Sequence, residues 1–106
     1  MLTSGLKLTP QMSELAGAAR QLLLANTETG DFNGRTYTFT VPALTDRAYP
    51  FQWFWDSCFH AMVWAHLDVE RAKEEIRSLL TAQDETGFIP HMIFWDPSRM
   101  QRAPWM

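Results

Sequence analysis

The sequence is poor in the features that mark several common classes of protein. Its 106 residues include a single cysteine, Cys58, which excludes an internal disulfide and a cysteine-based zinc site within the chain. Positive charge is not in excess, because nine Lys and Arg stand against twelve Asp and Glu, which gives a net charge of -3. A chain with this charge has no general attraction for phosphate backbones or anionic lipid. We therefore expect neither a nucleic-acid partner nor a membrane surface.

Long apolar runs and the common cofactor motifs are also missing. No segment approaches the roughly 18 apolar residues that a membrane span requires, and residues 1–10 lack the basic and then apolar order of a secretion signal. Neither a Gly-rich phosphate loop nor a Gly-x-Ser-x-Gly elbow is present. The sequence therefore predicts a cytoplasmic protein without a cofactor.

Aromatic residues, by contrast, are abundant. They make up 13 % of the chain and concentrate in residues 49–64 and 88–95. Aromatic side chains bury large areas, and two such clusters exceed what the core of so small a chain needs. Either they line a ligand site or they pack on protein outside this chain.

Residue patterns in the first half predict one helix and one strand. Thr9 is a helix cap, Pro10 suits the first helical position, and apolar residues at helical spacing continue to about Ala25. Asn33-Gly34 is a tight-turn signal. The alternating segment 35–41 after it predicts a short strand, alone or in a hairpin with residues before the turn, near residues 31–41. Residues 42–50 are expected to form a loop.

The second half predicts two helices that meet almost without a linker. Residues 56–67 form a helix that is apolar nearly all round, and Asp68 caps a third helix over 69–83. Such a short join predicts an antiparallel helical hairpin. The third helix should bury Val69, Ala72, Ile76, Leu79 and Leu80, and its charged residues, Glu75 among them, should form a solvated face. Residues 88–97 are expected to be an extended aromatic loop.

Residues 49–57, YPFQWFWDS, combine the groups that a carbohydrate site requires. Tyr49, Trp53 and Trp55 offer flat faces for the C–H surface of a sugar ring, Gln52 offers an amide, and Asp56 a carboxylate for its hydroxyls. The start of a helix at Asp56 would favour a negative charge there. The alternative is that Asp56 is a plain helix cap and the tryptophans are ordinary core residues.

The histidines give a weaker signal. His60 lies one helical turn after Asp56, so a hydrogen bond between them is possible, and His91 in the aromatic loop is a candidate pocket residue. A metal held by Asp56, His60 and His91 would match no known ligand spacing. We therefore predict no metal site.

Two motifs together resemble a known family. Residues 49–60, YPFQWFWDSCFH, and residues 87–91, GFIPH, resemble glycoside hydrolase family 63 and its bacterial relatives, the mannosylglycerate and glucosylglycerate hydrolases. The Trp55-Asp56-Ser57 core is also similar to the trehalase signature, although trehalases favour Tyr at the position of Trp53. The resemblance covers about residues 10–96.

The resemblance implies an all-α fold, part of an (α/α)6 barrel of the six-hairpin glycosidase type. It implies hydrolysis of a small α-glucoside or α-mannoside, such as a glycosylglycerate, with inversion and without a metal. Tyr49, Trp53, Trp55 and Asp56 would line the subsite of the released sugar. The general acid Asp and the general base Glu would lie downstream, so residues 1–106 would be the truncated N-terminal part of one catalytic domain and inactive alone.

Two other classes of function remain open. The chain could be a small sugar-binding protein that uses the same aromatic cluster without catalysis, or a structural helical module whose tryptophans bury against a partner. The sequence identifies neither the sugar, nor the group attached to it, nor the oligomeric state.

Overall fold

The computed structural model describes residues 7–42 and 51–95. The described residues form three helices and two small antiparallel sheets. In chain order these are α1 Pro10–Ala25, β1 Thr27–Phe32, β2 Arg35–Thr40, β3 Gln52–Trp53, α2 Phe54–Leu67, α3 Val69–Leu80 and β4 Met92–Ile93. The prediction of a mostly helical chain with a short hairpin is confirmed. Tyr49 and the loop expected after Pro42 lie outside the described residues.

Helix α1 has the predicted bounds and the predicted cap. The Thr9 Oγ1 atom accepts a hydrogen bond from the Met12 backbone N at 3.1 Å, and Pro10 occupies the first turn. Only Leu23 of this helix is buried, and it packs with Trp64 and Ala72. The large apolar residues Met12, Leu15 and Leu22 on the same face are exposed to solvent, and Leu15 is 71 % exposed.

The hairpin of β1 and β2 forms around the predicted Asn-Gly turn. Asn33 and Gly34 both have positive φ, 51° and 76°, which is the conformation that a two-residue hairpin turn of this kind requires. The strands pair from Thr27 opposite Thr40 to Phe32 opposite Arg35. Strand β1 begins at Thr27, before the predicted region of residues 31–41. The sequence did not indicate this start, because residues 27–30 show no apolar alternation.

Helices α2 and α3 form the predicted helical hairpin, with Asp68 as the one residue between them. The Asp68 carboxylate accepts from the Arg71 backbone N at 3.3 Å and so caps α3, as predicted. Ser57, near the start of α2, meets Glu75, in the second half of α3, which is the contact pattern of antiparallel helices. Helix α2 starts at Phe54 rather than at residue 56, and α3 ends at Leu80 rather than at residue 83.

The buried face of α3 differs from the prediction. Its buried residues are Ala72, Glu75, Ser78 and Leu79, whereas Val69, Ile76 and Leu80 are 41–50 % exposed. Glu75, assigned to the solvated face by its charge, is fully buried. Residues 72, 75 and 79 share one face at helical spacing. At this face the Glu75 carboxylate accepts hydrogen bonds from Thr40 of the β-hairpin and from Ser57 of α2.

Strands β3 and β4 tie the start of α2 to the end of the described chain. Gln52 pairs with Ile93 and Trp53 pairs with Met92. The Phe54 backbone N also donates to the His91 carbonyl at 2.8 Å. The two motifs of the sequence are therefore neighbours in space. Among the helices of the described residues, none has both the length and the apolar character needed to cross a bilayer.

Candidate functional site

A cavity of about 260 Å³ lies where the two motifs meet. Its described lining residues are Pro42, Trp53, Trp55, Asp56 and His91. This space is several times what a single bound water requires, so the site has room for a small-molecule ligand. Four of the six residues that the sequence singled out for sugar contacts are therefore brought together in one place.

The backbone explains why these side chains converge. Trp53 ends β3 and alternates with Gln52, so the two side chains leave the strand on opposite faces. Trp55 and Asp56 follow in the first turn of α2. His91 arrives from the other motif because of the pairing of β3 with β4. Its ring meets that of Trp53 edge to face, with centroids 5.4 Å apart.

The aromatic walls differ in exposure. Trp55 is 62 % exposed, so one face of its indole is open to a ligand, and Phe59 supports its edge with ring centroids 5.8 Å apart. Trp53 is half-buried. An exposed tryptophan face beside a carboxylate is costly to leave uncovered in water, and it matches the apolar C–H face of a sugar.

Asp56 is the one carboxylate among the described residues that line the cavity. It occupies the third position of α2, and the cap of that helix is Trp53, without a side-chain hydrogen bond. The alternative that Asp56 is a plain helix cap is therefore wrong. Its carboxylate lies in the first turn, where the free N–H groups and the helix dipole favour negative charge.

His60 lies one turn further along α2. Burial lowers the pKa of His60, and this effect outweighs the opposing influences of the Asp56 carboxylate and of a hydrogen bond with the Thr40 backbone. Its Nδ1 atom is buried without a hydrogen-bond partner among the described residues. His60 is not among the described residues that line the cavity.

Gln52 does not reach the cavity wall. It is fully buried, its amide nitrogen donates to the hydroxyls of Ser57 at 3.0 Å and Ser78 at 2.7 Å, and its amide oxygen accepts from the Trp95 indole at 2.7 Å. The predicted sugar contact of Gln52 is therefore wrong in this structure, because the interior takes both ends of its amide.

Two parts of the site went unrecognised in the sequence. Pro42 lines the cavity from the end of the hairpin strand, and its position in an expected loop gave no sign of this. The buried Glu75 lies behind the site, bonded to Ser57 at 2.7 Å. The serines at 57 and 78, in otherwise apolar or charged helical segments, are the signal that could have indicated a buried polar partner.

The geometry favours binding of a neutral polar ligand with one flat apolar face. Inverting hydrolysis of a glycoside requires two carboxyl groups roughly 6.5–9.5 Å apart, and the described cavity presents one. The described ranges contain no group of three His, Cys, Asp or Glu that could hold a metal. Asp56, His60 and His91 therefore do not form such a group. The absence of a cofactor stays a prediction.

Comparison with known proteins defines the class. Residues 49–106 match the mannosylglycerate hydrolase MGH1-like glycoside hydrolase domain. The chain belongs to this family of glycoside hydrolases. No solved structure matches it.

Three relatives illustrate the similarity. Mannosylglycerate hydrolase MGH1 of Selaginella moellendorffii is 35 % identical over 94 residues, which are 89 % of this chain and 17 % of that protein. The mannosylglycerate hydrolase of Thermus thermophilus is 45 % identical over 62 residues, 58 % of this chain and 14 % of that protein. The glucosylglycerate hydrolase of Mycolicibacterium hassiacum is 42 % identical over 82 residues, 77 % of this chain and 16 % of that protein. The chain thus spans about a sixth of the length of these relatives.

Proposed function

We propose that this chain forms the sugar-binding wall of a glycoside hydrolase that cleaves a small α-glucoside or α-mannoside, such as a glycosylglycerate, with inversion. The observation that carries the proposal is the cavity in which Trp53, Trp55, Asp56 and His91 meet. Family membership supports the reaction type, and the names of the relatives support glycosylglycerates as the substrate class.

Each side chain has a distinct role in this proposal. The open face of Trp55 stacks on the apolar face of the sugar, and Trp53 closes the cavity against His91. The Asp56 carboxylate accepts hydrogen bonds from two neighbouring hydroxyls, a contact that is stronger than one to a neutral acceptor. The imidazole of His91, exposed at the rim, contacts a further hydroxyl or the group attached to the sugar. Tyr49 is proposed to complete this subsite.

The chemistry itself requires groups beyond the described wall. An inverting enzyme places a carboxylic acid near the glycosidic oxygen and a carboxylate that activates water on the opposite face of the sugar. In our proposal Asp56 holds the sugar between two such groups, within a larger (α/α)6 domain to which residues 1–106 contribute. Catalysis then needs neither a metal nor a cofactor.

Product analysis tests the proposal. A purified protein that contains this chain in a whole catalytic domain is incubated with α-mannosylglycerate and α-glucosylglycerate, and proton NMR follows the first minutes of reaction. We expect free hexose, initially as the β anomer because inversion turns an α-glycoside into a β sugar. A β-glycoside of glycerate is the matched control and should not be cleaved. Initial release of the α anomer would contradict inversion, and no hydrolysis of either α-glycoside would contradict the substrate class.

A second candidate function is sugar binding without hydrolysis. It is favoured by the single carboxylate among the described lining residues of the cavity. Titration of tryptophan fluorescence with glucose, mannose and glycosylglycerates distinguishes the candidates when combined with the product assay. A binder responds to the sugars and releases no product, an enzyme gives both signals, and a purely structural module gives neither.

A further inference from the structure

A fully buried carboxylate lies behind the cavity, in the middle of α3. The Glu75 Oε2 atom accepts from the Ser57 hydroxyl at 2.7 Å and from the Thr40 backbone N at 3.0 Å, and its Oε1 accepts from the Thr40 hydroxyl at 2.8 Å. Arg71 approaches it at 3.7 Å. Each of these groups is a donor, so the carboxylate acts as a central acceptor for α2, β2 and α3.

Through Ser57 and Gln52, this acceptor holds both ends of the segment that forms the cavity wall. Ser57 directly follows Asp56, and its hydroxyl also accepts from the Gln52 amide at 3.0 Å. Gln52 directly precedes Trp53. The side chains at 52 and 57 thus point into the interior, while those of Trp53, Trp55 and Asp56 between them line the cavity.

The same network reaches the segment that carries His91, on the other side of the cavity. Gln52 accepts from the Trp95 indole at 2.7 Å, and Trp95 stacks on Phe39 with ring centroids 5.1 Å apart. Trp95 closely follows β4, the strand that brings His91 to the site. Glu75, Ser57, Gln52 and Trp95 therefore form one chain of contacts that joins α3 to both walls.

Burial of this carboxylate is expensive, and stability alone is a weak reason for it. Apolar residues of similar size often replace buried charged groups without loss of stability, whereas a fully satisfied polar network fixes one geometry. We propose that Glu75 is a positioning residue, which acts through Ser57 and Gln52 to hold Trp53, Trp55 and Asp56 in the orientation that binds the ligand. The ligand part of this statement rests on the proposed function.

Glutamine at position 75 is the sharpest perturbation. The amide has one acceptor oxygen in place of two, so the three donors cannot all keep their partner. The Thr40 oxygen cannot compensate, because it already accepts from the Trp64 indole at 3.0 Å and from Arg71 at 3.1 Å. Glu74→Gln is the matched control, since Glu74 also binds the β-hairpin, through Thr38 N at 3.2 Å, whereas the Ser57 hydroxyl donates to Glu75.

A second pair of variants cuts the link at the site. Ser57→Ala removes the hydroxyl between Glu75 and Gln52. Its matched control is Cys58→Ala, an equally small truncation at the next position, where the side chain lines an apolar groove on the outer side of the helical hairpin. This pair carries the test if Glu75→Gln fails to fold.

The readout is the indole N–H signals of Trp53 and Trp55 in a proton–nitrogen NMR spectrum of a protein that contains this chain in a whole catalytic domain, assigned by single Trp→Phe variants. We expect Glu75→Gln and Ser57→Ala to shift or split the signals of Trp53 and Trp55, and both controls to leave them in place. Circular dichroism confirms the fold of each variant. This readout needs no catalysis, so it decides the positioning role even if the protein cleaves no glycoside.

In an active protein that contains the chain, Ser57→Ala should raise KM at least several-fold, with Cys58→Ala unchanged. Unshifted Trp53 and Trp55 signals in folded Glu75→Gln would overturn the proposal, whatever Ser57→Ala shows. If that variant does not fold, unshifted signals in Ser57→Ala would overturn it in the same way.

Discussion

Between α2, α3 and β2 most of the fully buried side chains are polar, whereas the outward faces of α1 and α2 carry large apolar side chains. The interior holds Gln52, Thr40, Ser57, Ser78 and Glu75 at no more than 1 % exposure. On the outside, Leu15, Leu22 and Met62 are each more than 60 % exposed. This distribution reverses the usual one, in which charged residues are almost never fully buried.

The difference distinguishes the polar groups, whose hydrogen-bond partners lie within this chain, from the apolar faces, which only further protein could bury. The polar side chains of the interior hydrogen-bond to one another within the described residues, so contacts inside this chain determine their geometry. The apolar outer faces are exposed to water, and covering them with further protein would contribute about 25 cal/mol of favourable free energy for each Å² buried. The cavity lies at the boundary, since Asp56 and Trp55 face outward while Ser57 next to them faces in.

The largest expected effect comes from removal of the central acceptor of the interior. Glu75→Ala leaves the donors of Thr40 and Ser57 buried without a partner, and breaking a buried charged network in this way costs about 3–5 kcal/mol. We expect the melting transition seen by circular dichroism to disappear or to fall far below that of wild type. Glu70→Ala, on the same helix with its side chain 75 % exposed, should melt like wild type. Equal melting temperatures of the two variants would show that the buried hydrogen bonds of Glu75 contribute no more to stability than an exposed side chain does.

The next effect tests the boundary between the two regions and is measured as activity. Asp56→Asn keeps the shape of the side chain but loses a charged acceptor, which contributes roughly 1.5–3 kcal/mol. In an active protein that contains the chain, kcat/KM should fall about ten- to a hundred-fold, with a change in stability of at most ~1 kcal/mol from the helix dipole. Asp68→Asn is the control, because it makes the same change at the cap of α3 and asparagine caps well. Wild-type turnover by Asp56→Asn would remove Asp56 from the sugar-binding wall.

A smaller effect should appear as a dependence of stability on pH. Burial holds the pKa of His60 below its ordinary value, so the unfolded chain takes up a proton before the folded chain does. The free energy of unfolding should therefore fall as pH drops from above about 6.5 and level off below the folded pKa. Denaturant titrations at several pH values should show a shallower fall for His60→Gln than for wild type. Met62, exposed on the same helix and without a titratable group, provides the control, and Met62→Gln should keep the wild-type slope.

The smallest effect on stability, and a clear one on association, is expected on the apolar exterior. We expect the isolated chain to be marginally stable and to self-associate through its exposed apolar faces. Leu15→Lys with Met62→Lys should lower the sedimentation coefficient at high protein concentration and change the melting temperature little, since both side chains are mostly in water. Gln83→Lys adds a charge at an exposed polar position and should associate like wild type. A wild-type monomer with a sharp melt that is independent of concentration would contradict this prediction.

The sequence was most informative where a local signal decides the structure. Pro10 and Thr9 predicted the start of α1, and Asn33-Gly34 predicted the hairpin turn, because each depends on the backbone preferences of a few adjacent residues. The two aromatic motifs predicted which segments would form the cavity. The short join at Asp68 also predicted the pairing of α2 with α3.

The sequence failed where a distant partner decides which side chain is buried. Glu75 looks solvated in the pattern of α3, and its donors come from residues 40 and 57, on separate elements. Gln52 looks like a sugar contact for the same reason, since its partners Ser78 and Trp95 are far along the chain. No pattern of adjacent residues distinguishes a polar side chain that contacts a ligand from one that hydrogen-bonds to another part of the protein.

The hydrogen bond between the Phe54 backbone N and the His91 carbonyl has a consequence for how the site can change in evolution. The chain leaves the cavity at Phe54, runs out along α2, returns along α3, and closes on its own starting point. The far tip of this excursion, at Leu67, Asp68 and Val69, lies at the opposite end of α2 from the residues that line the cavity. We therefore expect exchanges of sequence at that tip to change the distances within the binding site less than exchanges near Phe54 or His91.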